Sequence, residues 1–315
     1  MLTSPRRWLW HGLSVLIIAG LMGSLYIASK QINYSWQWGR VLPYIVNTAP
    51  LDLRANGNGT VSQVTESAIT VTLDDGGKNQ VFKDYDQAVA VQGDLVFEGD
   101  VIARTTQWRA GPLLNGLWVT LKISLISLFF ATLLGLAAGL MRVSSNPACQ
   151  NLSFIYIGLI RGTPLLVQIF IMYFFVGTML NLDRFSAGVM ALSIFTGAYI
   201  AEIVRSGIQS ISPGQMEAAR SLGMTYTKAM THVILPQAFK RTLPPMAGQL
   251  INLIKDSSLV SVIAITDLTK AGREAISGNF ATFEVWITVA GLYLILTTLL
   301  SWIIGRIEKR LSASD

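Results

Sequence analysis

Few residues of this chain have the types and spacing that catalysis or metal binding requires. The sequence has a single cysteine, Cys149, which excludes an intramolecular disulfide and a cysteine-based metal cluster. Its two histidines, His11 and His232, form no HExxH pair. The sequence also lacks a phosphate-binding GxxxxGK[ST] loop. We therefore predict no catalytic residue and no metal site in this chain.

The chemistry that remains is that of ionisable side chains within apolar segments. Lys255 and Asp256 lie in an apolar run and are followed by Ser257 and Ser258. Charged groups are costly in hydrocarbon, so they mark either a pathway for a polar substrate or a buried pair. Because Lys255 and Asp256 are adjacent, they point in different directions on a helix and are not placed to neutralise each other. These four residues are candidates for a substrate pathway, with ion pairing inside a helix bundle as the structural alternative.

A second group of charges lies near the end of another apolar run. Glu202 and Arg205 are three residues apart, hence on one helix face, where they could pair locally or brace the polar segment that follows. We favour bracing. Arg161 is a third candidate for this role, and it precedes Gly162-Thr163-Pro164, a combination typical of a helix start.

The elements that position these residues are predicted to be membrane helices. Of the 315 residues, 51% are hydrophobic and 13% are charged, a balance that soluble proteins rarely show. The segment 113–121 is expected to be a short interfacial helix that keeps Lys122 at the membrane surface. Six apolar runs have the length needed to cross hydrocarbon: residues 8–29, 123–141, 152–176, 186–204, 246–266 and 283–304.

The segment 31–109 differs from the rest of the chain because it is polar and rich in turns. Ile69, Val71 and Leu73 alternate with small polar residues, a glycine-containing turn follows, and apolar residues resume at Val81. This pattern predicts a β-hairpin within a small β-sandwich or barrel over residues 55–105. Since the segment contains no catalytic constellation, it is either an accessory domain or a docking surface for a partner.

The distribution of basic residues predicts which ends of the apolar runs face the cytoplasm. The formal net charge is +6, but lysine and arginine are concentrated at the ends of apolar runs, which is typical of topology signals and not of a nucleic-acid site. Their excess on one side places both termini and the segment 210–240 in the cytoplasm. The predicted domains are an anchor (1–30), an extracytoplasmic β-rich domain (31–109) and a membrane domain (110–310).

The polar segment 212–239 between two of these runs has its own helical pattern. Ser212-Pro213-Gly214-Gln215 has the form of a capping box, Gly223 is placed to end a first helix, and Thr225 can cap a second that stops before Pro236. The pattern is compatible with a helix packed on the membrane helices, an interfacial helix or a docking helix for a soluble partner. Its apolar stripe consists of Met216, Ala219, Leu222, Tyr226, Ala229, Met230 and Val233.

At this segment the sequence resembles a known family. Glu217-Ala218-Ala219, three residues, Gly223, nine residues and then Val233-Ile234-Leu235-Pro236 resemble the EAA loop of permease subunits of binding-protein-dependent ABC importers. Val233 stands where isoleucine is usual. The resemblance extends over about residues 112–310 and is narrowed to the polar amino-acid branch by LWVTL at 117–121, RGTPLL at 161–166, AYIAEIVR at 198–205 and KDSSL at 255–259.

The resemblance implies a division of labour between several chains. The EAA loop would be the coupling helix that contacts a cytoplasmic ATPase dimer, and ATP and Mg²⁺ would be bound by that partner. An extracytoplasmic amino-acid-binding protein and a second permease subunit, identical or homologous, complete the implied assembly. The residues implied to contact the ATPase are Glu217, Ala218, Ala219, Ser221, Leu222 and Gly223.

The sequence therefore predicts an all-α membrane protein of about six transmembrane helices, an N-terminal anchor plus a five-helix permease core, with a small β-rich extracytoplasmic insertion. By the resemblance, it would move a polar or charged amino acid across the bacterial inner membrane. A secondary amino-acid transporter is the alternative, disfavoured because the two halves show no internal hydropathy repeat. A membrane-anchored enzyme is disfavoured by the lack of a nucleophile, base or metal set.

Overall fold

The structure, a computed structural model, describes residues 4–31, 34–74, 76 and 79–312. The chain divides into two compact units, Met1–Gly39 and Arg40–Asp315. The first unit contains helix α1 (Ser4–Gln31), which covers the predicted run 8–29. At 28 residues it is about 42 Å long, enough to cross hydrocarbon. Several of its side chains are exposed apolar ones, namely Leu13, Val15, Leu16, Ile17 and Ile18.

The second unit begins with a short helix and a β-rich segment. A 3-10 turn (Trp38–Arg40) leads into α2 (Leu42–Ile45). The strands that follow are β1 (Val46–Asn47), β2 (Leu51–Arg54), β3 (Gly59–Val64), β4 (Ala68–Leu73), β5 (Gln80–Lys83), β6 (Gln87–Ala88), β7 (Leu95–Val96), β8 (Val101–Thr105) and β9 (Arg109–Ala110).

These strands pair antiparallel around a small apolar core. One sheet has the order β5-β4-β3-β7 and another the order β2-β8-β6. The predicted hairpin is present, because β4 pairs with β5 in the register Ile69↔Phe82. Val61, Ile69 and Ile102 are fully or almost fully buried between the strands. The first and last strands pair with each other at Val46↔Ala110, so the segment leaves the helical part and returns to it at one place.

Helices form the remainder of the chain. Pro147, Pro164, Pro213 and Pro236 lie at or next to helix starts, where the missing N–H of proline costs nothing. The helices are α3 (Pro112–Arg142), α4 (Pro147–Arg161), α5 (Leu165–Phe170) with a π turn (Ile171–Gly177), α6 (Arg184–Gln209), α7 (Pro213–Ser221), α8 (Tyr226–Ala229) with a π turn (Met230–Ile234), α9 (Leu235–Asp256) with a 3-10 turn (Ser257–Ile263), α10 (Leu268–Asn279) and α11 (Thr282–Ser312).

The packing of α3 against α6 forms the centre of the helical part. A Cβ at Gly135 would lie 2.5 Å from Cγ2 of Ile200, and one at Gly139 would lie 2.7 Å from Cβ of Val204. The two helices therefore approach as closely as they do only because α3 has glycine at both positions. The spacing of these two glycines is the small-xxx-small pattern typical of tightly packed membrane helices.

The described residues support part of the predicted count of membrane spans. Among the described residues, Pro112–Arg142, Arg184–Gln209 and Thr282–Arg306 are long and apolar enough to span a membrane. Two further spans are reached only if each of two bent helix pairs is counted as one. The total of six spans stays a prediction.

The expected interfacial helix before Lys122 was wrong, because α3 runs without interruption from Pro112 to Arg142. Its 31 residues extend for about 46 Å, well beyond the hydrocarbon thickness of about 30 Å. Lys122 can therefore belong to the same helix and still lie near the membrane surface. Its Nζ lies 5.3 Å from the ring centroid of Phe185, at the start of α6.

The predicted span 152–176 is broken in the middle. Helices α4 and α5 meet at an angle of 104°, across the residues Gly162-Thr163-Pro164. This combination therefore breaks a span and does not begin one, because Pro164 cannot continue the hydrogen bonds of α4. Gln168 stabilises the break, since its Nε2 donates to the carbonyl of Ile160 at 2.7 Å and to Oγ1 of Thr163 at 2.8 Å.

Candidate functional site

Helix α7 gives the polar segment 210–240 its sharp turn. The amide of Met224 donates to the carbonyl of Ala219 at 3.2 Å, and that of Gly223 donates to Arg220 at 3.0 Å. These two bonds form a Schellman motif, and Gly223 has the positive φ of +82° that the motif requires. The predicted helix end at Gly223 is therefore confirmed.

The start of α7 differs from the predicted capping box. Ser212 occupies the cap position, but its side chain makes no capping bond. The amide of Gln215 donates instead to the backbone carbonyl of Ser212 at 3.0 Å. Pro213 occupies the first helical position, where its missing N–H leaves no donor unsatisfied.

The end of the predicted second helix was also wrong. Thr225 does cap α8, because its Oγ1 accepts from the amide of Lys228 at 3.4 Å. However, the chain stays helical past Pro236, through the π turn and into α9. Pro236 is tolerated because it follows the wide turn and lies in the first turn of the next helix.

The residues at the end of α7 form an exposed surface. Leu222 is 82% exposed, although it belongs to the predicted apolar stripe. Ala219, by contrast, is only 4% exposed and faces the interior of the protein. We call the exposed set of Glu217, Ala218, Ser221, Leu222 and Gly223 the α7 surface.

Hydrogen bonds from helix α9 hold the segment 210–240 in place. The residues that make them were not among the predicted site residues. Nη1 of Arg241 donates to the carbonyl of Ser210 at 2.6 Å. Nε2 of Gln237 donates to the carbonyl of Val233 at 2.8 Å and to Oε1 of Gln215 at 3.4 Å. Both residues lie in the first turns of α9, so this helix holds both ends of the segment. Their only signal in the sequence was a polar side chain next to an apolar run.

The three predicted bracing residues are brought together. Arg205 donates to Oε1 of Glu202 through Nε at 3.0 Å and through Nη2. Nη1 of Arg161 lies 3.9 Å from the other carboxylate oxygen of Glu202. Arg205 also lines a cavity with Ser212 and Met216 of the polar segment. The cluster thus connects the end of α4, the end of α6 and the start of α7.

Of the four predicted pathway residues, two line a cavity and two do not. Helix α9 ends at Asp256 and continues directly as a 3-10 turn, so Lys255 and Asp256 lie where the type of helix changes. Lys255 and Ser258 line one cavity of about 330 Å³, while Asp256 is half-buried and does not line it. Ser257 is fully buried and donates to the carbonyl of Ile254 at 2.8 Å.

A buried polar network lies next to this cavity and was missed in the sequence. The carboxylate of Asp267 is fully buried and accepts from the amides of Thr269 and Lys270 at the start of α10. The hydroxyl of Tyr293 lies 3.3 Å from Oδ2 of Asp267 and 3.0 Å from Oγ1 of Thr269. Tyr293 and Thr269 also line the cavity with Lys255. The signal for Asp267 was its position as a helix cap before the periodic segment of α10.

These features define a polytopic helical membrane protein with an exposed helix-turn element between two of its apolar helices. Residues 131–313 match the family described as "Binding-protein-dependent transport system inner membrane component". This match covers more than half of the chain, so the chain belongs to that family of ABC transporter permeases.

Relatives and solved structures agree with this assignment. The chain is 45% identical over 202 residues to a probable glutamine ABC transporter permease protein of Bacillus subtilis, covering 64% of this chain and 94% of the relative. It is 42% identical over 208 residues to the glutamine transport system permease protein of Escherichia coli, covering 65% of this chain and 95% of the relative. A crystal structure of an amino acid ABC transporter with histidines matches with a TM-score of 0.60 and 41% identity, covering 63% of this chain and 94% of that one.

Proposed function

We propose that this permease imports a polar or charged amino acid into the cytoplasm by alternating access, with ATP and Mg²⁺ bound and ATP hydrolysed on a separate subunit. The observation that carries this proposal is the 42–45% identity to two glutamine permeases over 94–95% of their length. The same observation favours an ABC importer over a secondary amino-acid transporter. Glutamine and similarly polar amino acids are the substrate class.

The proposed assembly needs other chains, because this sequence has no phosphate-binding loop to bind ATP. It needs a cytoplasmic ATPase dimer, an extracytoplasmic amino-acid-binding protein and a second permease subunit, either identical or homologous. We place the chain in the bacterial inner membrane with six spans, both termini inside and the β-rich segment outside. The charge bias of the sequence supports this orientation, since Arg142 at the end of α3 lines a cavity together with residues of the segment 210–240.

The α7 surface is the proposed contact with the ATPase. Leu222 exposes an apolar side chain at a turn fixed by the Schellman bonds, and the exposed Glu217 lies in the helix that leads into this turn. An exposed apolar anchor next to a polar group is typical of a helix docked in a groove. Ala219 supports this contact from the buried side of the helix. Glu202, Arg205 and Arg161 brace the surface against the membrane helices.

Substitutions on the α7 surface test the coupling role. Leu222→Asp and Glu217→Lys should leave the chain folded in the membrane, because both side chains point away from the core. Loss of an apolar hot spot at an interface costs more than about 1.4 kcal/mol, so substrate-stimulated ATPase activity of the complex should fall at least about tenfold.

The matched control is Leu95→Asp, which changes a leucine that is 73% exposed in the β-rich segment. It should leave the ATPase activity and uptake unchanged. Full ATP-dependent uptake by both α7-surface variants would show that this surface does not couple the two subunits.

The substrate pathway is proposed to pass the cavity lined by Lys255 and Ser258. The ammonium of Lys255 can meet the carboxylate of an amino acid, and the hydroxyl of Ser258 can supply a neutral hydrogen bond. Asp256 lies outside this cavity, next to Lys255, and we propose that its carboxylate meets the substrate amine at another point of the pathway. Ser257 has a structural role in the same site, because its hydroxyl bonds the carbonyl of Ile254 and supports the turn.

Substitutions of the neighbouring Ser257 and Ser258 distinguish a role in substrate contact from a role in structure. Lys255→Ala and Ser258→Ala should raise the KM for uptake, because they remove groups that line the cavity. Ser257→Ala should lower thermal stability and leave KM unchanged, since its hydroxyl bonds only backbone within the helix turn. An unchanged KM in the Lys255 and Ser258 variants, measured in proteoliposomes with the binding protein, would assign these residues to structure.

A further inference from the structure

A second cavity lies between the segment 210–240 and the ends of the membrane helices. Its volume is about 530 Å³. Three separate parts of the chain meet there: the turn between α3 and α4, the end of α6, and helices α7 and α8. The polar and aromatic side chains that line it are Arg142, Gln150, Arg205, Gln209, Ser212 and Tyr226.

The lining of this cavity carries positive charge without an acidic counterpart. None of its lining residues is aspartate or glutamate. Arg205 is already bonded to Glu202, but Arg142 has no carboxylate within ion-pair distance among the described residues. The Cζ atom of Arg142 lies instead 4.9 Å from the ring centroid of Phe154. Three arginines, counting Arg161, thus surround the single carboxylate of Glu202 and leave a net positive field.

The cavity is continuous with a surface suited to hydrocarbon. Phe154, which stacks under Arg142, is 60% exposed, and Leu152 on the same helix is 62% exposed. Arg142 therefore lies at the boundary between an apolar helix face and a polar cavity. A molecule with a phosphate group and acyl chains would satisfy both surfaces at once, because the guanidinium fork binds phosphate oxygens in a bidentate manner.

We propose that this cavity binds a phosphate group, supplied by the headgroup of an anionic lipid or by free phosphate. Basic pockets at the ends of membrane helices are suited to such headgroups. The bound group would join α3 and α6 through Arg142 and Arg205, and the hydroxyls of Ser212 and Tyr226 in the segment 210–240 line the same cavity. The amide of Gln150 in α4 donates to the carbonyl of Ser144 and has a second N–H for the bound group. If the segment couples to an ATPase, as proposed above, this site would make coupling sensitive to the lipid composition. The binding step itself does not depend on that role.

Binding can be measured on the purified full-length chain without an ATPase. The thermal unfolding midpoint in detergent is recorded with increasing phosphatidylglycerol, phosphatidylcholine or inorganic phosphate. We expect phosphatidylglycerol to raise the midpoint and phosphatidylcholine to leave it nearly unchanged. Arg142→Gln should weaken the apparent affinity for phosphatidylglycerol roughly fivefold, the effect of one basic residue near an anionic surface. Arg306→Gln, an exposed arginine at the end of another helix and outside this cavity, should bind as the wild type does.

The remaining outcomes decide where the phosphate group comes from and whether this cavity binds it. Stabilisation by inorganic phosphate alone, lost in Arg142→Gln, would identify soluble phosphate as the source of the group. If Arg142→Gln does not fold, Gln150→Ala should weaken binding, and Arg142→Lys should retain part of it because it keeps the charge but loses the fork. Equal stabilisation by phosphatidylcholine, no stabilisation by either phosphate source, or unchanged binding in the cavity variants would overturn the proposal. A failure of ATPase coupling in other variants would leave this result unaffected.

Discussion

Single residues determine the geometry of the α7 surface, and Gly223 does so through its backbone. Its φ of +82° lies in the left-handed region, and no atom lies within 4 Å of the position that a Cβ would take. A substitution there is opposed by the backbone and not by packing, at a cost of roughly 1–2 kcal/mol for a residue other than glycine. Gly223→Val should therefore distort the turn locally and reduce ATP-dependent uptake while the amount of folded protein stays the same.

Two variants check this explanation of Gly223. Gly223→Asn should lose less uptake than Gly223→Val, because asparagine tolerates the left-handed region better. Gly214→Ala changes a glycine of the same helix that has no positive φ and whose Cβ would make an ordinary contact, 3.6 Å from Oγ of Ser212. It should transport normally. Equal activity of the valine and asparagine variants would refute the backbone argument.

The sequence predicted contacts within one helix but not contacts between helices. The proximity of Glu202 and Arg205 was predictable because helical spacing fixes it. The contact between Arg161 and Glu202 joins different helices, and no periodicity within one helix specifies it. Ser257 and Ser258 are indistinguishable in the sequence, yet only the second lines the cavity of Lys255. Adjacent helical residues point in different directions, and which serine faces the cavity depends on where α10 and α11 pack.

At the scale of elements, apolar runs predicted where helices occur but not where they bend. The run 152–176 is apolar on both sides of its 104° break, so hydropathy gives no sign of the bend. The proline at the break was visible, but the bond from the amide of Gln168 to the carbonyl of Ile160 joins two helices and has no sequence signal. Pro236 shows the opposite result, since a π turn before it lets the helix continue.

The close packing of α3 and α6 leads to a prediction about this helix pair. Gly135→Leu would force Ile200 and the backbone of Gly197 away from α3, where a single Cβ would already lie within 2.9 Å of both. Overpacking of a tight contact costs about 1–3 kcal/mol, so the thermal unfolding midpoint in detergent should fall. Gly291→Leu in α11 is the control, because nothing lies within 4 Å of its Cβ position. Equal stability of the two variants would contradict the packing of this helix pair.

At the scale of the whole molecule, we propose that the β-rich segment is an addition to the part of the chain that its relatives share. The family match begins at residue 131, and two relatives are covered over 94–95% of their own length by about two thirds of this chain. The segment enters and leaves through the paired strands β1 and β9, while Val41 and Leu113 beside them pack with Leu268 of α10. The packing of the core therefore does not depend on the residues between these two strands.

This separation can be tested by removing the segment at its base. Deletion of residues 48–108, with Asn-Gly joining Asn47 to Arg109, replaces the segment by a two-residue hairpin turn that suits paired antiparallel strands. The shortened chain should elute as a folded membrane protein and retain basal ATPase activity with its partners, because α3, α10 and the α7 surface are unchanged. Uptake is then measured over a range of concentrations of the binding protein. Normal uptake throughout would make the segment an accessory domain, and a loss confined to low concentrations would make it a docking surface. Aggregation of the shortened chain would instead show that the segment contributes to folding of the core.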